Sequence, residues 1–132
     1  MRFGNRIRFI AAGLLGVVVD LLVMGDAYAY STRMRQSHPV TLVAGLVGMV
    51  VVTAFLNFGK HRTFAIAAIV WLGMVAAHTL VLIAEMSRDP TSHNLWPFEY
   101  LSILLFGIPA LLGATAGRLA DAVRTVRARN KI

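Results

Sequence analysis

At 132 residues the chain has room for one small domain, and its composition excludes an ordinary water-soluble one. Of its residues 58% are hydrophobic and 14% charged, with a mean hydropathy of +0.70, against roughly 25% charged in a typical soluble domain. Cysteine is absent, which removes disulfides, thiolate nucleophiles and iron–sulfur clusters. The net charge of +7 is met by a basic rim facing anionic lipid headgroups and calls for no nucleic acid.

Four apolar runs predict four transmembrane helices, at about 8–30, 39–58, 64–85 and 97–118, with a basic tail over 118–132. Each approaches the ~20 residues that carry a helix across ~30 Å of hydrocarbon. The first run follows Arg2, Arg6 and Arg8 and leads to Ala27-Tyr28-Ala29, the layout of a cleavable secretory signal. Asp20 interrupts it, and it is long for a signal core, so it reads as a retained helix. Small residues at helical spacing mark packing faces: Ala12 with Gly16, Ala44 with Gly48, and the G-x-x-x-G of Gly113 and Gly117. The last is read as packing within one chain ahead of dimerisation. In the fourth run Pro109 predicts a kink, Pro97 suits a first helical turn, and Trp96 and Tyr100 fit an interfacial aromatic belt. The tail is expected to continue as a basic amphipathic helix or to fray.

Orientation follows from Lys and Arg, which resist translocation. Arg2, Arg6 and Arg8, then Lys60 and Arg62, then Arg118, Arg124, Arg127, Arg129 and Lys131 fall on one side. Arg33, Arg35 and Arg88 fall on the other, diluted by Asp26, Glu85 and Asp89. The whole chain, 1–132, is thus expected to be all-α: a single polytopic membrane domain, an up-down four-helix bundle in the inner membrane with both termini cytoplasmic.

The chemistry must lie in the few polar residues inside the runs. An ionised carboxylate at mid-bilayer costs at least ~2.5–3.5 kcal/mol, so Asp20 is the sharpest anomaly, and His78 is its counterpart in the third run. Their depths match, and they can pair if the two helices are neighbours. Such a pair is either a proton-linked or ligand-binding site or a static hydrogen bond that fixes register. Glu85, Asp26 and Glu99 read as interfacial charges, Glu99 favourably placed at a helix N-terminus. His38, His61 and His93 sit in gaps at unrelated spacings. No catalytic motif, phosphate loop, haem pair or metal-ligand spacing occurs, so no enzyme activity, cofactor or metal is expected.

Arg8-Phe9, then Gly13 and Asp20, then Asn57-Phe58 and the basic Gly59-Lys-His-Arg-Thr-Phe64 segment resemble the GtrA-like family of small four-helix membrane proteins. The resemblance covers about half the chain. The family's aromatic-rich Asn-Arg-x-Trp-Thr-Phe ending is here without its Trp and with a shorter spacing. In the second half Gly117-Arg118-Leu-Ala-Asp121 stands where that ending would repeat. The resemblance implies a role in moving or organising polyprenyl-phosphate-linked sugars. Asp20 and Asn57 would then be polar contacts along the lipid-sugar path, and Lys60 and Arg62 would attract the phosphate. A second class remains open: an accessory or assembly subunit of a respiratory or photosynthetic membrane complex, packed against partner proteins or further copies. A third, a proton-coupled small exporter, leans on Asp20, with Trp71 the one clear aromatic for a lining helix.

Overall fold

The computed structural model describes residues 3–23, 39–59, 63–91 and 96–129. All regular structure there is helical: α1 is Phe3–Val23, α2 Pro39–Asn57, α3 Thr63–Met86 and α4 Trp96–Arg129. The middle boundaries fall where the sequence sets them, because the punctuation is explicit. Pro39 takes the first helical position, where its missing N–H costs no hydrogen bond. Gly59, with φ +70°, follows α2 in the left-handed conformation that commonly closes a helix. At the end of α3 the Arg88 and Asp89 amides both donate to Glu85 O at 2.9 Å. Asp89 Oδ1 then accepts from the Thr91 hydroxyl at 2.7 Å and the Thr91 amide at 2.9 Å, a side-chain turn that skips across Pro90. These two bonds hold the exposed Asp89 carboxyl below its usual pKa.

Two boundaries differ from expectation. The first helix begins at Phe3 rather than near residue 8, and its expected continuation to residue 30 lies outside the described residues. The fourth runs unbroken for 34 residues, through Pro109 and past residue 118 to Arg129. Beyond Gly117 the chain offers no Gly or Pro until its end, and its Ala, Leu and Arg content favours helix.

Around the bundle the helices follow the order α1, α3, α4, α2, each packed on the next, with α2 closing more lightly on α1. The sequential neighbours α2 and α3 therefore stand across a diagonal rather than side by side. Two pairs are antiparallel hairpins, α1 with α2 and α3 with α4. The two other contacts, α1 with α3 and α2 with α4, are between parallel helices, and glycine makes both. A Cβ on Gly16 would run into the Val70 carbonyl and come within 3.0 Å of Met74 N; one on Gly73 would strike the backbone of Gly13. A Cβ on Gly113 would meet Val50 and Thr53, and one on Gly117 would stand 2.8 Å from the Ala54 carbonyl carbon. The Gly113/Gly117 motif is thus used up inside the chain, as is Gly16. Ala44 and Gly48 are not: Ala44 is exposed, and a Cβ on Gly48 would have nothing within 4 Å.

Burial is inverted relative to a soluble bundle. Asp20, Thr53, Asn57, Thr63 and His78 are inside, beside Met49, Val70, Met74 and Ile103. Leu14, Val47, Phe55, Leu72, Leu80 and Leu112 are each about half exposed or more. Two helices, α3 and the Pro97–Arg129 part of α4, are long and apolar enough to cross a membrane. The Leu42–Asn57 stretch of α2 is apolar but shorter.

Gly16→Val is expected to destabilise the bundle by about 1–3 kcal/mol or more, the usual cost of overpacking, because its clash is with backbone. Gly48→Ala, with open space and better helix propensity, is expected to be neutral or stabilising. Unfolding of the purified variants in detergent checks both; equal losses would mean that α1 and α3 do not meet at Gly16.

Candidate functional site

Polar side chains gather at two levels of the bundle. At the basic end, α1 starts and α2 finishes. Arg8 Nη1 donates to Leu56 O and to Phe58 O, each at 3.0 Å, so a guanidinium caps the carbonyls that the end of α2 leaves without helical partners. The Arg124 guanidinium from α4 lies 5.8 Å from the centre of the Phe58 ring, within cation–π range. Asn57 Nδ2 donates to Thr63 Oγ1 at 2.9 Å and to Ala114 O at 2.6 Å, which ties α2, α3 and α4 in one residue. Thr53 Oγ1 donates back to Met49 O at 2.6 Å. Asn57 thus serves as a strut through its two committed amide hydrogens, while its Oδ1 is buried with no hydrogen-bond partner among the described residues. Lys60 and Arg62, the expected phosphate contacts, lie outside the described residues.

At the other end His78 is fully buried, with Nε2 3.1 Å from Glu99 Oε2. The Tyr100 ring meets the His78 imidazole edge to face, centroids 5.2 Å apart at 84°. The Tyr100 hydroxyl shares a 2.7 Å hydrogen bond with Thr79 Oγ1, which also donates to Val75 O at 2.7 Å. Two residues of α3 and two of α4 thus interlock at a single level. The Glu99 side chain is 27% exposed, so this cluster runs from a fully enclosed imidazole to the surface.

Asp20 stands on the buried stripe of α1 with Ala12, Gly16 and Val19. Since Gly16 seats against Val70 and Met74, one further turn along the parallel helices brings Asp20 to the level of His78. The expected neighbourhood of Asp20 and His78 is therefore met at helix level, and Glu99 joins it from the far side of His78. Glu99, Tyr100, Thr79 and Arg8 are the residues that sequence reasoning did not assign to a site. The signal for three of them is arithmetic. Positions equidistant from a hairpin turn face each other, and 78 with 99 and 79 with 100 each centre within half a residue of Asp89, next to Pro90. Among the described residues no group of three His, Cys, Asp or Glu is placed to hold a metal ion.

Comparison with family models, with curated proteins and with solved structures finds no match for this chain.

In a double-mutant cycle, His78→Ala and Glu99→Ala are expected to be non-additive, with a coupling of about 0.5–3 kcal/mol. The pair His78→Ala with Glu85→Ala is expected to be additive. Unfolding in detergent measures both; additivity of the first pair would remove Glu99 from the site.

Proposed function

We propose that this chain is a four-span protein of the inner membrane, both ends cytoplasmic, that helps move or organise a polyprenyl-phosphate-linked sugar and makes or breaks no bonds itself. The observation that carries this reading is Asp20, a carboxylate fully buried in a bundle whose outer surface is hydrocarbon. Ionisable side chains inside membrane helices are costly and rare, and they mark substrate or proton paths. The inverted burial supports lipid as the surrounding solvent, since apolar side chains cover the outside of all four helices. At 19 residues, α2 is about 28 Å long, enough for one crossing. The motif residues shared with the GtrA-like family support the substrate class. Arg8, Gly13, Asp20 and Asn57 sit on α1 and α2, at helix contacts or inside the bundle. The basic end supplies the attraction for a phosphate, with Arg6, Arg118, Arg127 and Arg129 exposed around it. His78 and Glu99 extend the ionisable level from Asp20 across the bundle toward its surface.

A second reading, an accessory subunit of a larger membrane complex or a homo-oligomer, is favoured by one observation. The Ala44–Gly48 face of α2 is made for close helix approach and has no neighbour among the described residues. Mild-detergent extraction separates the two readings: stoichiometric recovery with a large complex favours the second, recovery alone or as a small oligomer the first.

Asp20→Asn is expected to abolish lipid-sugar-dependent glycosylation in cells while leaving protein levels unchanged, and retained glycosylation would exclude Asp20 from the path. Topology has a direct check because the chain lacks cysteine. A single cysteine at Ser87 is expected to react with a membrane-impermeant maleimide in intact cells, and one at Ala122 only after permeabilisation.

A further inference from the structure

His78 is fully enclosed, yet its Nε2 stands 3.1 Å from Oε2 of Glu99, whose side chain is 27% exposed. A carboxyl that touches both an enclosed imidazole and the surface is a path for a proton. The other groups around the imidazole come from each packed helix. Asp20 on α1 stands at the same level. Tyr100 on α4 meets the ring edge to face, and its hydroxyl is tied to Thr79. From Pro39 to Asn57, α2 brings no ionisable residue. On α3 itself Glu85 lies two turns outward on the same face, behind the buried Leu82.

The level therefore holds two acids and one base. With both carboxyls ionised and the imidazole neutral it carries two negative charges, and two added protons make it neutral. Each uncompensated charge inside a membrane is costly, so the number of protons held here and the stability of the bundle are linked.

Access to this level is one-sided. One turn toward the basic end from His78, Glu99 and Asp20 come Met74, Ile103 and Gly16. All three are buried, and the fully buried Met49 joins them from α2. Gly16 closes directly on the α3 backbone at Val70 and Met74. Beyond this layer the first enclosed polar side chain among the described residues is Thr53, whose hydroxyl is committed to Met49 O. Toward the α3–α4 turn, by contrast, Glu99 lies in the first turn of α4 beside the exposed Pro97 and Phe98.

We infer that His78 and Glu99 form a proton-binding site, open toward the α3–α4 turn and closed toward the basic end, which couples movement through the bundle to protons. The coupling, and which end faces outside, rest on the function proposed above; the site and its one-sided access rest on the geometry just given. With its own ring hydrogen on Nδ1, His78 accepts at Nε2. A proton from water binds Glu99 Oε2 and crosses to Nε2. One O–H bond breaks and one N–H bond forms, leaving a carboxylate and an imidazolium. The level has then gained one positive charge, next to Asp20. Release toward the basic end requires the Met74–Ile103 layer to part, so the structure is the state loaded from the turn side.

The chain has four histidines. Replacing His38, His61 and His93 with Gln in the full chain lets isotope-labelled histidine report on His78 alone. In phosphatidylcholine vesicles with a buffered interior, the outside is stepped from roughly pH 8 to pH 5, the interval over which imidazole changes charge. Isotope-edited infrared difference spectra read the imidazolium within seconds. Vesicles take up the chain in both orientations, and Ser87→Cys labelled with an impermeant maleimide counts those whose α3–α4 turn is outward. The imidazolium fraction is expected to equal the labelled fraction, and a protonophore is expected to recruit the remainder. Glu99→Gln is expected to slow proton uptake about a hundredfold, the lower range for a positioned proton-transfer group, and Glu85→Gln to leave it unchanged. No imidazolium in the parent chain overturns the site. A response from every chain before the protonophore is added, or from the unlabelled orientation, overturns the one-sided access. Unchanged uptake in Glu99→Gln removes Glu99 as the entry. In cells Glu99→Gln is expected to lower glycosylation, and a normal level overturns the coupling. If His78 responds as expected while Asp20→Asn leaves glycosylation intact, the proton site stands and the lipid-sugar reading falls. If His78 stays neutral while Asp20→Asn abolishes glycosylation, the reverse holds.

Discussion

The contact on which the bundle depends is the approach of two parallel helix backbones at Gly13, Gly16 and Gly73. Helices in hydrocarbon gain little from hiding apolar surface, because lipid tails are as apolar as leucine; what favours association is close packing and internal hydrogen bonding. Glycine removes the side chain that would hold the backbones apart, and here it does so on both sides of the α1–α3 contact. The same device at Gly113 and Gly117 joins α2 to α4. With the parallel pairs fixed in this way, the two hairpins stack side by side, and the α2–α3 connection must cross the diagonal. The ring order α1, α3, α4, α2 is a consequence of where the glycines are.

That order decides which polar groups share a level. In the lipid surroundings proposed above, an enclosed donor or acceptor has no water to turn to, so pairing within the protein is strongly favoured. At one level Arg8 meets the last carbonyls of α2, and Asn57 reaches both α3 and α4. At the other, His78, Glu99, Thr79 and Tyr100 interlock across the second hairpin, and Asp20 comes alongside on α1. The first set consists of fixed-charge and amide groups with their hydrogens committed, the chemistry of a brace. The second contains all the described ionisable side chains that are fully enclosed, Asp20 and His78, and one acid that reaches the surface. On the function proposed above, this difference in composition places movement of a polar group at the second level and mechanical support at the first.

Much of this was legible in the sequence, and the parts that were not have identifiable causes. The α2 and α3 boundaries were readable because Pro39, Gly59 and the Asp89-Pro90 turn mark them locally. The internal use of Gly113 and Gly117 was readable because small residues four positions apart have one obvious purpose in an apolar helix. The ring order was not, because a hydropathy pattern that is apolar all round does not say which face is inward: Ala44–Gly48 looks like Ala12–Gly16 on paper, yet among the described residues only the latter meets a neighbour. Glu99 was assigned to capping because its position near a helix start already explained it. Its pairing with His78 is a tertiary fact, although counting outward from Asp89 comes within one residue of it. Arg8 was counted as a topology signal, and its second role depends on where α2 ends.

The unbroken course of α4 ties the outer surface to the charge distribution. A helix that stopped near residue 118, as the hydropathy alone implies, would leave the arginines on a chain of variable reach. Because α4 continues to Arg129, the distances from Arg118 to Arg124, Arg127 and Arg129 are set by about three turns of helix at most and cannot vary with the conformation of a loop. Leu119, Val123 and Val126 recur at helical spacing on this extension, flanked by Arg118, Arg127 and Arg129. Long arginine stems can lie along such a stripe while their heads reach water, which keeps the extension soluble without a partner helix. The apolar Leu104–Leu111 face and the cationic end of α4 are thereby parts of one rigid element.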